Sequence, residues 1–329
     1  MAVLLPLVAS CDSPPVMPAG FLRATTAPTS EPADTQPVAT QPSPLELLRR
    51  TPVPLYAALL SGGMEHFSIE LAEGDTWLSQ RNVVRRSETL RLKLAGTLSR
   101  QDGNAPAGRT TLRLTLEQIR VSIHADDLAE PLTYDSQAEP APRSRLGQFL
   151  GAFLGIPLTI RVSPQGRLER FDGLDALRRR ASLLVLPREL RPVDVLFRDV
   201  AFERLLVEAL FLPLPTRAIL PDDAWAVTLQ AMLPVGIDVV TQLEGRLNDV
   251  RFDEYDRPVA STTITSRIVD GRGPGRVTSG RYRAEQTIRW TVPAIEQRLE
   301  RDFEIALPSG DEATRYTQSR VIRSRREPR

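Results

Sequence analysis

The stretch Leu90-Arg-Leu-Lys-Leu-Ala-Gly-Thr-Leu98 decides the fold class of this 329-residue chain. Leucine alternates there with polar or small residues, and a period of two predicts a half-buried β-strand. Turn-forming residues fill positions 101–108, and a second alternating run follows at Leu112, Leu114 and Leu116. Two long strands that are joined by a short turn form a hairpin, so the sequence predicts antiparallel pairing.

The second alternating run contains an irregularity. Its phase slips by one residue between Leu116 and Ile119, after which Val121 and Ile123 continue the new phase. A slip of one residue would turn the rest of the strand to the other side of the sheet. We therefore expect a β-bulge between Leu116 and Ile119, because a bulge keeps both halves on the same core.

The middle of the chain changes to helical spacing. Helices are expected on either side of Pro52 and Pro54, and over 143–155, 174–184 and 200–212. Alternation returns at 225–231 and near 237–247, 257–269, 276–292, 296–307 and 312–324. This order predicts an α+β fold, in which a long-stranded, curved antiparallel sheet of half-barrel shape packs on a few helices from the middle of the chain.

The N-terminus resembles a bacterial lipobox. A short apolar run ends in Val8-Ala-Ser-Cys11, where two small residues precede the only cysteine of the chain. We expect residues 1–10 to be a lipoprotein signal peptide and Cys11 to carry the lipid, although no basic residue precedes the apolar run. Two or more acyl chains hold a protein stably on a membrane. The alternative is an ordinary apolar N-terminus with a bystander thiol.

Residues 11–44 are expected to form a disordered tether. They contain eight prolines among small and polar residues, and few large apolar side chains. Such a segment cannot offset its ordering entropy by burial, and its prolines favour an extended, semi-rigid spacer. Residues 45–329 are then expected to form a single α+β domain.

Composition limits the possible partners and chemistry. The 42 basic and 41 acidic residues nearly cancel, so nucleic acid is not expected as a partner. One cysteine excludes an internal disulfide, and only two histidines are present. Walker, nucleophile-elbow, zinc-protease and dinucleotide-binding motifs are absent from the sequence, and no cofactor or metal site is expected.

Several polar clusters are weighed between a ligand contact and a structural role. For most of them the structural interpretation is preferred, as turn or solvated-loop residues. Asp222 and Asp223 are the candidates for a carboxylate-dependent hydrolase, since paired carboxylates leave no firm sequence mark. The other clusters are Tyr134-Asp135-Ser136, His124 with Asp126 and Asp127, the loop acids Asp249, Asp253, Glu254 and Asp256, and the glycines Gly271, Gly273 and Gly275. The arginines Arg320, Arg323, Arg325 and Arg326 are expected to end an exposed strand and tail, with contact to anionic lipid as the alternative.

Residues 64–325 resemble an uncharacterised family of bacterial secreted proteins and lipoproteins. The resemblance rests on Tyr134-Asp-Ser136, on Pro157-Leu-Thr-Ile-Arg-Val-Ser-Pro-Gln-Gly166 followed by Gly173, and on Leu220-Pro-Asp-Asp-Ala-Trp225. Asp222 stands where the family usually has glycine. The resemblance implies a location in the cell envelope and a body similar to the half-barrel of periplasmic lipoprotein carriers, which is a fold-level analogy.

The sequence thus favours a non-catalytic lipoprotein of the cell envelope, anchored to the membrane through Cys11 and facing the periplasm or the exterior. Its body is expected to bind a hydrophobic or lipid ligand between sheet and helices. One alternative is an envelope module that binds other proteins, and the other is the carboxylate-dependent hydrolase.

Overall fold

The computed structural model describes residues 42–59, 64–78, 84–100, 110–126, 128–141, 143–163, 168–181, 193, 196–197, 201–211, 214–232, 238–272, 276–291, 294–307 and 314–328. Residues Pro42–Arg329 form one compact unit. Cys11, the expected signal peptide and the expected tether up to residue 41 lie outside the described residues, as do the turn at 101–108, Asp127, Gly273 and Gly275.

Twelve strands make up most of the described chain. The first six are β1 (Met64–Leu78), β2 (Val84–Arg100), β3 (Thr110–Ala125), β4 (Leu132–Asp135), β5 (Pro157–Val162) and β6 (Leu168–Asp172). The other six are β7 (Ala224–Met232), β8 (Asp238–Phe252), β9 (Pro258–Arg272), β10 (Arg276–Arg289), β11 (Ala294–Leu307) and β12 (Thr314–Pro328).

All twelve strands belong to one open, curved antiparallel sheet. Its order is β6-β5-β3-β2-β1-β12-β11-β10-β9-β8-β7, and β4 pairs separately with β3. Hairpins link most neighbours, but the pairing of β1 with β12 at the middle of the sheet joins residues about 250 positions apart in sequence. The sheet therefore consists of two consecutive halves that meet at β1 and β12.

The helices are short. They are α1 (Pro44–Arg50), α2 (Arg145–Gly151), α3 (Leu174–Ala181) and α4 (Ala201–Leu210), with a 3-10 helix at Leu55–Leu59. Ser43 caps α1 and Ser144 caps α2, each by accepting a backbone hydrogen bond from the first turn. The helix expected over 143–155 ends early, because the chain turns after Gly151 and Gly155 adopts a positive φ.

The α+β prediction needs correction on one point. The sheet is long-stranded, curved and antiparallel as expected, but the fold is mostly β. Strands β1, β2, β3 and β8 to β12 have 14 to 17 residues each, whereas the longest described helix has ten. The helices act as a partial cover on one face of the sheet rather than as a second layer of equal size.

The two faces of the sheet differ in polarity. In β1 the odd-numbered residues from Glu65 to Glu73 are buried, and the residues between them are more exposed. We call the helix-covered side the inner face and the other side the outer face. The helix expected over 200–212 is α4, and its apolar stripe packs on the inner face with all five members buried: Phe202, Leu205, Leu206, Ala209 and Leu210.

The predicted β-bulge is confirmed. Leu116 pairs with Gly96, whereas Gln118 pairs with Ala95, so one extra residue enters β3. Leu116 and Ile119 are both fully buried on either side of it. Ser136 fastens the bulge, because its hydroxyl accepts a hydrogen bond from the amide of Ile119 at 3.0 Å.

Candidate functional site

The inner face of the first half of the sheet is an apolar compartment. Leucine, isoleucine and valine side chains of β1, β2, β3 and β5 form one buried cluster with the helices. Four of its phenylalanines form a group in which contacting rings have centroids 4.5 to 6.3 Å apart: Phe149, Phe153, Phe197 and Phe202. Aromatic pairs at this spacing attract one another beyond the area that they bury.

A row of polar side chains crosses the inner face at the middle of the sheet. Glu73 on β1 pairs directly with Arg320 on β12, which pairs with Arg301 on β11, which pairs with Tyr282 on β10. All four are less than a tenth exposed. We call these four residues the ionic row.

Helix α4 supplies the carboxylate that neutralises the second arginine of the ionic row. Glu208 accepts from Arg301 Nη1 at 2.9 Å and lies 3.8 Å from Arg320 Nη1, while Arg320 also pairs with Glu73. Desolvation lowers the pKa of Arg301, although the charge of Glu208 opposes that shift. Buried charges of this kind persist only when they are paired.

A parallel row of neutral polar residues holds the end of α4. Ser324 donates to the carbonyl of Ala209 at 2.6 Å, and Gln297 donates to the carbonyl of Glu208 at 2.9 Å. The last carbonyls of a helix have no intrahelical partner, so these bonds satisfy them. The row continues in register through Gln286 and Thr262.

Asp75 lies next to the ionic row on β1. It accepts hydrogen bonds from Tyr316 OH at 2.6 Å and from Gln318 Nε2 at 3.2 Å. Burial, followed by the negative charge of Glu73, raises the pKa of Asp75 to about 7 despite those bonds. Burial and the charge of Asp75 likewise raise the pKa of Tyr316.

Some buried polar atoms of these rows have no hydrogen-bond partner among the described residues. They are Tyr282 OH, Arg301 Nε, Gln286 Nε2 and Gln297 Oε1, and beside the rows Gln318 Oε1. Desolvation raises the pKa of Tyr282, so its hydroxyl stays protonated and can donate. Tyr282 also belongs to the apolar cluster. It therefore belongs both to the apolar cluster and to the end of the ionic row on β10.

The outer face carries an open polar groove of about 740 Å³. It crosses β1, β12, β11, β10, β9 and β8, and hydroxyl groups such as those of Ser68, Ser261 and Thr263 line it with charged side chains. Its arginines are engaged in part: Arg298 pairs with Glu300 at 2.6 Å, and Arg325 pairs with Glu327 at 2.9 Å.

Sequence reasoning did not find the ionic row. It took the C-terminal arginines together as surface or strand-end residues. In the structure β12 directs Arg320 and Arg326 to the inner face, both less than a tenth exposed, and Arg323 and Arg325 to the outer face. A sequence signal for a buried charged group was present in β1, where Glu73 and Asp75 fall in the same alternation phase as the apolar residues Ile69 and Leu71.

Tyr134, Asp135 and Ser136 take structural roles. Tyr134 is buried in the apolar cluster, and Ser136 fastens the bulge. Asp135 accepts from the amide of Gln137 at 3.0 Å and from Arg120 Nε at 2.8 Å. The Gln137 bond and then Arg120 lower the pKa of Asp135.

Asp222 and Asp223 serve a turn before β7. The carboxylate of Asp223 accepts from the amide of Leu220 at 2.9 Å, and Asp222 has a φ of 70°. Neither residue lines the outer groove. Trp225 follows on β7 and packs over Gly245, where an added Cβ would lie 2.2 Å from the indole.

The acidic loop between β8 and β9 is held by internal bonds. The Asp253 carboxylate accepts from the amides of Tyr255 and Arg257 at 2.9 and 3.0 Å and from Arg289 Nε at 3.1 Å. Burial raises the pKa of Asp253, but these bonds outweigh it and the pKa falls well below the usual range. Asp249 pairs with Arg49 at 3.1 Å, and Glu254 and Asp256 are exposed.

The described members of the histidine cluster, His124 and Asp126, make hydrogen bonds with neighbouring residues. His124 Nε2 lies 3.2 Å from the hydroxyl of Ser122, and Asp126 accepts from the amide of Ser87. Within the described ranges, no group of three or more His, Cys, Asp or Glu side chains is placed to hold a metal ion. Nor does any helix of the described chain have the length and apolarity that crossing a membrane requires.

No family model matches this chain, and no curated protein matches it. A structure of lipid–protein interactions in lipovitellin has a TM-score of 0.42 at 10% identity, with 80% of this chain and 25% of that chain covered. The chain thus spans about a quarter of that protein's length.

Two further solved structures give lower TM-scores. The S-type phycobiliprotein lyase CPES from Guillardia theta has a TM-score of 0.19 at 8% identity, with 85% of this chain and 97% of that chain covered. The transport unit of the autotransporter AIDA-I from Escherichia coli has 0.14 at 7% identity, with 81% and 89% covered. At these scores none of the similarities assigns a function.

Proposed function

We propose that this protein is a non-catalytic lipoprotein of the cell envelope whose body binds an amphiphilic lipid on the inner face of its sheet. The N-terminal lipobox at Cys11 and the proline-rich segment after it support the anchor and the location. The position of Tyr282 carries the ligand proposal, because this residue belongs to the apolar cluster and to the ionic row at once.

An amphiphile needs an apolar surface beside polar partners. The apolar cluster offers aliphatic and aromatic side chains to an acyl chain. Tyr282 OH is a buried donor without a described partner, so a polar headgroup beside it would satisfy it. Binding sites for small molecules commonly combine an apolar lining with a few such polar groups.

Entry of an acyl chain requires the helical cover to move. Helix α4 is fixed to the sheet by the Glu208 ion pairs and by the bonds from Ser324 and Gln297. Other parts of the cover, among them α2 and Phe197, contact the apolar cluster through apolar side chains. Such contacts are non-directional, so an acyl chain can replace them. We therefore place the acyl chain in the apolar cluster, with the headgroup beside Tyr282.

Lipid extraction followed by mass spectrometry tests the proposal directly. The full chain with Cys11→Ser, which carries no covalently bound lipid, should release a defined amphiphile when it is purified without detergent. After extraction, the protein should bind a fluorescent fatty acid saturably. Protein that carries no lipid and shows no saturable binding would contradict the proposal.

A pair of tyrosine variants sharpens the test. Tyr282→Phe removes only the hydroxyl, so it should weaken binding of the fatty acid more than binding of its methyl ester. Tyr255→Phe is the control, because Tyr255 is 67% exposed and remote from the inner face. Equal effects of the two substitutions would argue against a headgroup site at Tyr282.

One observation favours the alternative, an envelope module that binds other proteins. The apolar cluster is tightly filled, with most of its residues less than 3% exposed. If extraction yields no lipid, the filled interior serves only as a core, and binding must use the outer surfaces of the sheet.

A further inference from the structure

The two edges of the sheet differ in their protection. Strand β6 has five residues, among them Glu169 and an Arg170–Asp172 ion pair, and its register with β5 is irregular. Short length, charge and irregular pairing are the usual means by which edge strands avoid pairing with other chains. This edge therefore carries three such devices.

Strand β7 at the opposite edge carries none of them. It has nine residues without a charged residue or proline, and it pairs with β8 without a register shift over its whole length. Among the described residues β8 is the only strand paired with it. From Ala226 to Met232 it is a regular, uncharged edge, which is the form that accepts another strand.

We infer that β7 pairs with β7 of a second copy of this chain, so that two sheets join edge to edge. Antiparallel pairing of a strand with itself has twofold symmetry, and twofold dimers are the commonest oligomers. With Thr228 opposite its own counterpart, Val227 lies opposite Leu229 and Ala226 opposite Gln230. No like charges meet along this ladder, because the strand has no charges.

The expected proline-rich tether is a poor alternative occupant of this edge. It contains eight prolines within residues 12–44. Proline has no amide hydrogen, so a strand that contains it cannot complete a ladder along β7. A second copy of the chain supplies a full set of donors and acceptors in a matching register.

Sedimentation equilibrium of the full chain tests the inference, with Cys11→Ser to remove acylation. The protein should form dimers, and Thr228→Lys should weaken dimerisation about fivefold or more, because it places two lysines opposite each other. Thr265→Lys is the control. Thr265 is also exposed, but it lies on the interior strand β9, where it pairs with Glu244. Circular dichroism verifies that both variants are folded.

Cysteine crosslinking fixes the register. In the Cys11→Ser background, Thr228→Cys gives the chain a single cysteine, which should link two copies through a short bismaleimide. Thr265→Cys should remain uncrosslinked. A protein that stays monomeric at its highest soluble concentration would overturn the inference. So would a dimer that Thr228→Lys leaves intact and Thr228→Cys fails to crosslink, since another surface would then form it.

Discussion

Arg301 and Arg320 lie directly opposite each other on neighbouring strands, and both guanidinium groups reach the single carboxylate of Glu208. Like charges opposite each other in a sheet are normally destabilising. Here the carboxylate belongs to α4, so the helix that covers the sheet also neutralises the positive charge of the two arginines. The sheet and its cover are therefore coupled by charge as well as by apolar contact.

Removing that carboxylate should be costly. Glu208→Gln leaves two buried arginines with only Glu73 to balance them, so we expect the free energy of unfolding to fall by about 3 kcal/mol or more. Urea denaturation measures it. Glu300→Gln is the control on the outer face, where its partner Arg298 is half exposed and the loss should stay below about 1 kcal/mol. If both variants lose the same free energy of unfolding, then the ion pairs of Glu208 stabilise the protein no more than a surface ion pair does.

Asp75 should make stability depend on pH. Its pKa rises to about 7 in the folded protein, above the ordinary value near 4 that the unfolded chain retains. The folded state therefore holds the proton more tightly, and this contribution to stability is complete below about pH 4. It is lost as the pH rises to about 7, and amounts to a few kcal/mol.

The Asp75→Asn variant checks that assignment. It keeps the shape of the side chain and removes its titration, so thermal unfolding between pH 4 and 8 should show a smaller decline than in the wild type. At pH 8 the variant should be the more stable protein. A variant whose stability follows the wild-type pH curve would show that another group causes the decline.

Two glycines of the sheet, one on β8 and one on β1, should respond in opposite ways to alanine. At Gly245 the new Cβ would fall 2.2 Å from the Trp225 indole, so Gly245→Ala should lower stability by about 1–3 kcal/mol. At Gly74 nothing lies within 4 Å, and Gly74→Ala should leave stability unchanged or slightly higher. Comparable midpoints in guanidinium for both variants would contradict the packing of Trp225 on Gly245.

The lipid anchor has a simple test in the native host. Wild-type protein should carry the mass of acyl groups and sediment with membranes, whereas Cys11→Ala should lack both properties. Intact-mass spectrometry and membrane fractionation measure the two. If wild type and variant are both soluble and unmodified, then the anchor and the envelope location must be abandoned.

Strand content and even the bulge were predictable from local alternation. The slip between Leu116 and Ile119 identified the bulge, because the two residues must face the same core. The helical spacing of apolar residues over 200–212 likewise predicted α4. Helix lengths were less so: the expected helix over 143–155 keeps Phe153 buried, but in a turn that a helical pattern cannot distinguish from the helix itself.

Local alternation could not predict the ionic row. Alternation assigns charged residues to the solvent side, and in β12 both phases contain polar residues. Only the pairing of β12 with β1 shows that Arg320 faces Glu73 and belongs inside. That pairing joins distant parts of the chain, so no local pattern contains it.

The pairing of β1 with β12 also determines when this protein can fold. Until residues 314–328 have been synthesised, β1 and β11 each present a long unpaired edge, and the two half-sheets have nothing between them. A nascent chain thus remains vulnerable to aggregation until β12 emerges. A deletion of β12 would remove the middle of the sheet rather than its margin, and chaperones would have to shield the two half-sheets until β12 has been synthesised.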